Sequence, residues 1–230
     1  MSVPAPRYAI YYLPDENSRL AQFGARWFGY DCHSGRTCDR ASFGLGALAA
    51  QAVETPAKYG FHATLVAPFH LLPSVAIEDV IGRMRAVAAS VRPPEPARLS
   101  MRELGRFVAL RPDDDLPLRQ LSVSCLVACN PLRASLSNAE RERRLRSPFS
   151  EYQRILLETY GYPYVMDEFR FHMTLTGRLS DEERVRIQSA LAGELAPILA
   201  EPVKIHALSL LEQATPDVPF RFYSRVELAA

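Results

Sequence analysis

The pentapeptide Phe-His-x-Thr-Leu occurs twice in this chain, as FHATL at residues 61–65 and as FHMTL at residues 171–175. For a chain of this composition, on the order of 0.001 chance occurrences of such a pattern are expected, so two copies indicate a functional duplication. A single histidine among Phe and Leu is more often a buried core residue than a catalytic one. The repetition of the whole pattern argues against that interpretation here.

Each copy predicts a strand with one packing face and one polar face. Alternate residues of a strand point to the same side. His62 therefore shares a face with Thr64, and His172 shares one with Thr174 and Thr176, while the Phe and Leu residues point to the other side. We expect the two polar faces to line one cleft.

The stretch after each motif repeats the same order of elements, a helix followed by a hairpin or strand pair. Residues 118–129 alternate as in a strand, but Asp115 as N-cap and Pro117 near the first turn favour a helix. Strands are predicted at residues 7–13, 59–70, 97–104, 106–110, 168–178, 203–211 and 219–228. Helices are predicted at residues 17–28, 41–50, 76–91 and 118–129, and from Ser180 onward, where Glu183 completes a capping box.

The chain is predicted to form one domain of two similar lobes. Its 230 residues are 48% hydrophobic, which is enough for one core of ordinary size. The lobes span residues 1–114 and 166–230, and residues 115–165 form a mostly helical connection. In that connection, Ser137 and Glu140 form a second capping box, and Pro148 occupies the first turn of a helix.

The net charge of +1 gives no basic surface for long nucleic acid or for an anionic membrane, so any nucleic-acid substrate is expected to be small. The start of the chain lacks the apolar segment of a signal peptide, and no apolar run approaches the roughly 18 residues that span a bilayer. We therefore expect a cytoplasmic protein whose four cysteines are reduced.

The wider motif contexts, KYGFHATL at residues 58–65 and FRFHMTLTGRL at residues 169–179, resemble the two-histidine phosphoesterase superfamily. That superfamily includes RNA 2′,3′-cyclic phosphodiesterases, bacterial 2′-5′ RNA ligase-like proteins and plant cyclic phosphodiesterases. The likeness is stronger to a branch of uncharacterised proteins often encoded beside phosphonate-degradation genes. It implies a bilobal, pseudo-symmetric α+β fold with an antiparallel sheet flanked by helices in each lobe. It also implies a cleft between the lobes and neither a metal nor another cofactor.

Two histidines suit the hydrolysis of a cyclic phosphodiester, which needs a base to deprotonate water and an acid to protonate the leaving oxygen. An ordinary imidazole pKa of about 6.5 makes both protonation states accessible near neutrality. Thr64 and Thr174 are placed to donate hydrogen bonds to the phosphoryl oxygens. Which of His62 and His172 is the base is left open by the sequence.

Five further residues near the motifs are candidates for substrate binding. Lys58, Arg170 and Arg178 share the parity of the motif histidines and would attract phosphate, although exposed charges at strand ends are the commoner case. Tyr59 and Tyr223 are candidates for stacking on a base, with buried core tyrosines as the alternative.

Other polar clusters are assigned no role. Cys32, His33 and Cys38 lack a fourth ligand at zinc-type spacing, and His70 and His206 lack a threonine partner. The basic residues from 141 to 146 alternate with acidic ones, which is typical of a solvated helix face.

The sequence thus predicts a metal-independent phosphodiesterase acting on a small cyclic phosphate or a 2′,3′-cyclic nucleotide-type ester, with a place in phosphonate metabolism. The alternatives are a binding module that holds a phosphorylated ligand without turnover, and an enzyme that joins RNA ends by the reverse chemistry. The expected partner is a small phosphorylated substrate or an RNA or nucleotide end, with no membrane partner. The oligomeric state is not determined by these patterns.

Overall fold

The computed structural model describes residues 5–229 and confirms the predicted α+β class, with a large antiparallel sheet and seven helices in that part of the chain. Met1–Pro4, on which the expectation about a signal peptide largely depends, lies outside the described residues. The strands are β1 (Arg7–Tyr12), β2 (Tyr30–Asp31), β3 (Arg36–Thr37), β4 (Ala63–Phe69), β5 (Leu99–Leu104), β6 (Phe107–Pro112), β7 (Met173–Thr174), β8 (Ala207–Gln213) and β9 (Arg221–Glu227). The helices are α1 (Arg19–Phe28), α2 (Ala47–Val53), α3 (Ile77–Ser90), α4 (Leu116–Cys129), α5 (Asn138–Leu145), α6 (Glu151–Tyr160) and α7 (Asp181–Leu199).

The two motif strands are neighbours in one seven-stranded sheet of order β5-β6-β7-β4-β1-β8-β9. The expectation of a separate sheet in each lobe is therefore wrong. Ala63 pairs with Met173 where β4 meets β7, so the two motifs join the strands of both halves into one hydrogen-bonded sheet. This pairing removes two sheet edges that separate lobes would leave exposed.

The hairpin that follows each motif in the chain pairs with a strand from the other half of the chain. The β5–β6 hairpin follows the first motif in the chain but pairs with β7 of the second, while the β8–β9 hairpin follows the second motif and joins β1 beside β4. Strand pairing thus crosses between residues 1–114 and residues 166–230 on both sides of the sheet. The division into two lobes remains a prediction.

The apolar face of both motifs forms part of the main core, as the alternation predicts. Phe61, Ala63 and Leu65 of the first motif are buried there, and their counterparts Phe171, Met173 and Leu175 are completely buried. This core also contains side chains of α1, α3, α4 and α7. The motif backbone is fixed to these helices by two hydrogen bonds: Trp27 Nε1 donates to the Leu175 carbonyl at 2.7 Å, and Ser122 Oγ donates to the Leu65 carbonyl at 2.7 Å.

The helix starts marked by capping boxes were predicted more accurately than the second motif strand, whereas the helix predicted at residues 41–50 begins at Ala47. Both capping boxes are present, at Ser137 and Ser180, and residues 116–129 are helical. Pro148 is not in a first turn, because the Ser150 side chain caps α6, which begins at Glu151. The strand predicted at residues 168–178 is only the two residues of β7 in the structure, because the residues on either side do not continue the strand pairing.

Two contacts explain why β7 is short. The Val108 amide donates to Thr176 Oγ1 at 3.0 Å, so this threonine is buried and not in the cleft as its parity predicted. The Gly177 amide donates to the Ala52 carbonyl at 2.6 Å, which draws the chain toward α2. Within residues 5–229, none of the helices has both the length and the apolar character needed to cross a membrane.

Candidate active site

The polar residues of both motifs lie in one cavity of about 430 Å³. His62, Thr64, His172 and Thr174 all line it, and each is half-buried, whereas the motif residues between them are buried in the core. The Ala63–Met173 pair sets this arrangement, because residues that flank a cross-strand pair point to the same face of the sheet. The structure therefore brings together the four residues that the sequence predicted as catalytic.

Both imidazoles have the same tautomer, imposed by the carbonyl two residues earlier. His62 Nδ1 lies 2.9 Å from the Gly60 oxygen, and His172 Nδ1 lies 2.7 Å from the Arg170 oxygen. A carbonyl oxygen can only accept a hydrogen bond, so Nδ1 must carry the proton in both rings. Each Nε2 is then available for proton transfer.

The two histidines differ in what surrounds the ring. The Tyr11 ring stacks on His62 with centroids 3.7 Å apart, and Thr64 Oγ1 lies 3.0 Å from Nε2. Burial lowers the pKa of His62 to about 4, against the hydrogen bond to the Gly60 carbonyl, which raises it. His62 is therefore neutral at physiological pH.

His172 has a more open environment, with the Phe107 ring tilted beside it at 5.8 Å. Burial, and to a smaller extent the charge of Arg111, lowers the pKa of His172, whereas its bond to the Arg170 carbonyl raises it. Arg111 is on β6, the strand that pairs with the second motif. An anionic ligand in the cavity would oppose these effects and favour the imidazolium form.

We expect Tyr11→Ala to raise the pKa of His62 from about 4 toward the ordinary imidazole value, because water would replace the stacked ring. The measurement is a pH titration of the imidazole resonances by NMR. Tyr11→Phe keeps the ring and should leave the His62 pKa low. An unchanged pKa in Tyr11→Ala would show that this ring does not control the hydration of His62.

Asp115 positions the second motif, a role that its sequence context did not predict. It occupies the N-cap position of α4, but its side chain makes no cap hydrogen bond. Instead, Oδ2 accepts from the Phe171 amide at 3.1 Å, and the carboxylate lies 3.9 Å from Arg111 and 3.5 Å from Arg119. Asp115 thereby connects the backbone immediately before His172 to Arg111 of β6 and Arg119 of α4.

The predicted substrate-binding residues are only partly brought to the site. Tyr59 lines the cavity, and Arg170 and Arg178 line an adjoining compartment that shares Thr64 and His172 with it. Lys58 lies in neither compartment: it is in the helical turn Ala57–Tyr59, where strand parity does not apply, and its Nζ lies over the Tyr59 ring. Tyr223 is also outside both compartments, because it is an exposed residue of the edge strand β9.

Three arginines that line the cavity were not among the site residues predicted from the sequence. Arg7 precedes the aromatic run of β1, and Arg143 and Arg144 belong to the run assigned to a solvated helix face. That assignment holds for Arg141, which pairs with Glu158 at 2.7 Å. It fails for Arg144, which is half-buried, and it omits that the exposed Arg143 also lines the cavity. A helical pattern shows which residues share a face but not what that face is packed against.

No metal-binding cluster is present in the part of the chain that the structure describes, where no three His, Cys, Asp or Glu side chains converge. Cys32 is buried and Cys38 is exposed, while the ring of His33 lies 3.0 Å from the Pro14 carbonyl. These three residues therefore do not form a common site.

Comparison with known proteins places the chain in a family. Residues 64–221 match the family described as "Protein of unknown function (DUF1045)", a stretch that includes Thr64, His172 and Thr174. Among curated proteins, the chain is 31% identical to ribose 1,5-bisphosphate phosphokinase PhnN of Janthinobacterium sp. (strain Marseille), over 96% of this chain and 50% of the relative. It is 32% identical to the protein of the same name from Laribacter hongkongensis (strain HLHK9), over 94% of this chain and 50% of the relative.

The chain thus spans about half the length of these curated relatives. Among solved structures, a conserved protein of unknown function from Agrobacterium tumefaciens str. C58 aligns with a TM-score of 0.43 and 16% identity, over 99% of this chain and 87% of that one. The family match covers more than half of the chain. The chain therefore belongs to the DUF1045 family.

Proposed function

We propose that this protein is a phosphodiesterase of the two-histidine type that hydrolyses a small cyclic phosphate, and that it belongs to the two-histidine phosphoesterase superfamily. The observation that carries the proposal is the pair of imidazoles in one cavity, each with its Nδ1 proton held by a carbonyl, which leaves Nε2 as the atom for proton transfer. One base and one acid in a common site are what in-line displacement at phosphorus requires.

In the proposed mechanism, His62 is the base and His172 is the acid. The low pKa of His62 keeps its Nε2 unprotonated, so it can take a proton from water as the water oxygen attacks phosphorus. The bond from phosphorus to the ring oxygen breaks, and protonated His172 gives its Nε2 proton to that oxygen. The product is a phosphomonoester with a free hydroxyl, and proton exchange with solvent restores both histidines.

The threonine hydroxyls have complementary roles in this mechanism. In the free protein Thr64 Oγ1 lies 3.0 Å from His62 Nε2, so in this mechanism its hydroxyl turns from Nε2 to the phosphoryl group when substrate and water bind. Thr174 faces the same cavity from the neighbouring strand. Both hydroxyls are placed to donate to non-bridging phosphoryl oxygens, where charge increases in the transition state.

A role in phosphonate metabolism is part of the proposal, with a phosphorylated ribose derivative as the substrate class. It is supported by the likeness to proteins named for ribose 1,5-bisphosphate. The kinase chemistry in that name is not carried over. The chain has two lysines, Lys58 and Lys204, and neither is in the Gly-Lys-Ser/Thr context of a P-loop.

We expect kcat/KM to follow a bell-shaped pH profile with its maximum on the acid side of neutrality. Activity should rise with pH through the His62 pKa, about 4, as the base loses its proton, and fall as His172 loses its proton below its ordinary pKa. Bound phosphate favours the His172 imidazolium, so the alkaline limb should lie at higher pH in kcat than in kcat/KM. A profile flat from pH 4 to 8 would contradict this pair of roles.

The direct test is an assay of purified, EDTA-treated protein on a panel of cyclic phosphodiesters that includes ribose 1,2-cyclic phosphates and nucleoside 2′,3′-cyclic phosphates. Turnover with release of one phosphomonoester is expected. Activity that appears only on addition of a divalent metal would overturn the mechanism. Ligand binding without turnover of any substrate would favour a binding module.

A further inference from the structure

The cavity that contains the motif histidines is also strongly cationic. Among the described residues, its lining includes Arg7, Arg143 and Arg144 and no Asp or Glu side chain. The whole chain has a net charge of only +1, so this concentration of positive charge is local. The adjoining compartment differs, because Glu168 lines it together with Arg170 and Arg178.

The three arginines have no carboxylate partner within residues 5–229. None of them makes an ion pair there. Arg7 donates to the neutral Gln213 side chain, and Arg144 donates to the Gly161 carbonyl. Glu140 lies about one helical turn before Arg144 in α5, but its carboxylate accepts from Ser137 at the start of that helix.

The arginines are close enough to affect one another. Burial lowers the pKa of Arg144, against Glu140 and Tyr162, and the charges of Arg143 and Arg7 lower it further. Arg7 and Arg144 are half-buried and Arg143 is exposed at the same cavity, so three like charges are brought together there without a counter-ion. A bound anion would relieve this repulsion, and planar guanidinium groups match phosphate oxygens in geometry.

From this arrangement we infer that Arg7, Arg143 and Arg144 form a second anion site that binds a terminal phosphomonoester of the substrate, separate from the phosphodiester that the histidines cleave. This inference rests on the proposed function. It narrows the substrate to a small molecule that carries two phosphoryl groups, one cyclic and one terminal. A cavity of about 430 Å³ is of the size that binds a ligand of this kind.

The geometry favours a terminal phosphate over the internucleotide phosphates of RNA. A phosphomonoester dianion is attracted more strongly to three cations than a diester monoanion is, because it carries more negative charge. The arginines come from the start of β1 and the end of α5 and line the same cavity as the histidines. An extended strand of RNA would instead be expected to follow a basic groove leading away from the site.

The first test measures binding of ribose 5-phosphate, which carries the terminal group and no diester, by isothermal titration calorimetry. Arg143→Gln should weaken binding by about 10-fold, since it removes a charge-assisted contact. Arg146→Gln is the matched control: it removes the same charge at the end of the same helix, but Arg146 does not line the cavity. Equal affinities in the two variants would overturn the inference.

The second test compares a nucleoside 2′,3′-cyclic phosphate with its 5′-phosphorylated form. The 5′-phosphate should raise kcat/KM by about 10-fold or more in the wild type and in Arg146→Gln, and much less in Arg143→Gln. Equal kcat/KM for the two compounds would overturn the second anion site but leave the proposed hydrolysis intact. Binding of ribose 5-phosphate that depends on Arg143, without turnover of any diester, would support the anion site and overturn the proposed hydrolysis.

A further substrate separates the small-molecule proposal from RNA. An oligoribonucleotide with a 2′,3′-cyclic end carries internucleotide diesters and can be prepared without a terminal phosphomonoester. We expect its kcat/KM to be below that of the 5′-phosphorylated mononucleoside. A higher value, lost in Arg143→Gln, would assign the arginines to an RNA backbone and overturn the terminal-phosphate inference.

Discussion

Alanine at His62 or at His172 is expected to lower kcat for a cyclic phosphodiester by at least about 10²-fold, because each variant removes one partner of an acid–base pair. The carbonyl of Gly60 or Arg170 would lose its imidazole partner, but the buried residues on either side of each histidine stay in the core. We therefore expect both variants to fold. The measurement is steady-state kinetics, accompanied by thermal unfolding of each variant.

A change of leaving group would distinguish the two roles. A p-nitrophenyl phosphodiester releases a weakly basic phenolate that needs little protonation, so the loss in His172→Ala should shrink with it. The loss in His62→Ala should persist, because water must still be deprotonated. The reverse pattern would exchange the roles, and His206→Ala, on a histidine outside the cavity, should behave as the wild type.

Gly24→Ala is expected to destabilise the fold by about 3 kcal/mol, through overpacking behind the first motif. A Cβ at Gly24 of α1 would lie 2.1 Å from Phe61 Cδ1 and 2.3 Å from Phe61 Cγ. Phe61 is buried against Phe23 and Phe28, so its ring has little room to move. Since Phe61 adjoins His62, the displacement should also disturb the first motif.

Gly82→Ala in α3 is the matched control. It makes the same chemical change inside a helix, but a Cβ at Gly82 meets nothing within 4 Å. It should therefore stabilise the protein by about 0.5–1 kcal/mol, since alanine loses less backbone entropy on folding. Urea unfolding of the two variants measures the contrast. Similar free energies of unfolding would mean that α1 can move away from the motif strand.

Local patterns predicted the elements and their faces well. Strand parity correctly separated the buried Phe61 and Phe171 from the cavity-lining histidines, and Ser137 and Ser180 marked the true starts of α5 and α7. The same parity failed where the chain leaves a strand. It misplaced Lys58, which lies in a helical turn, and Thr176, which is turned inward to the Val108 amide.

The sequence by itself thus determined the α+β class, the duplicated polar face and the four motif residues of the candidate site. These depend on side-chain alternation and helix capping, which act between residues a few positions apart. Tertiary structure alone decided that β4 pairs with β7 in a single sheet, that Tyr11 covers His62, and that Arg143 and Arg144 face the cavity. Those features arise from contacts between segments far apart in the chain, for which a local pattern specifies a face but not the partner packed against it.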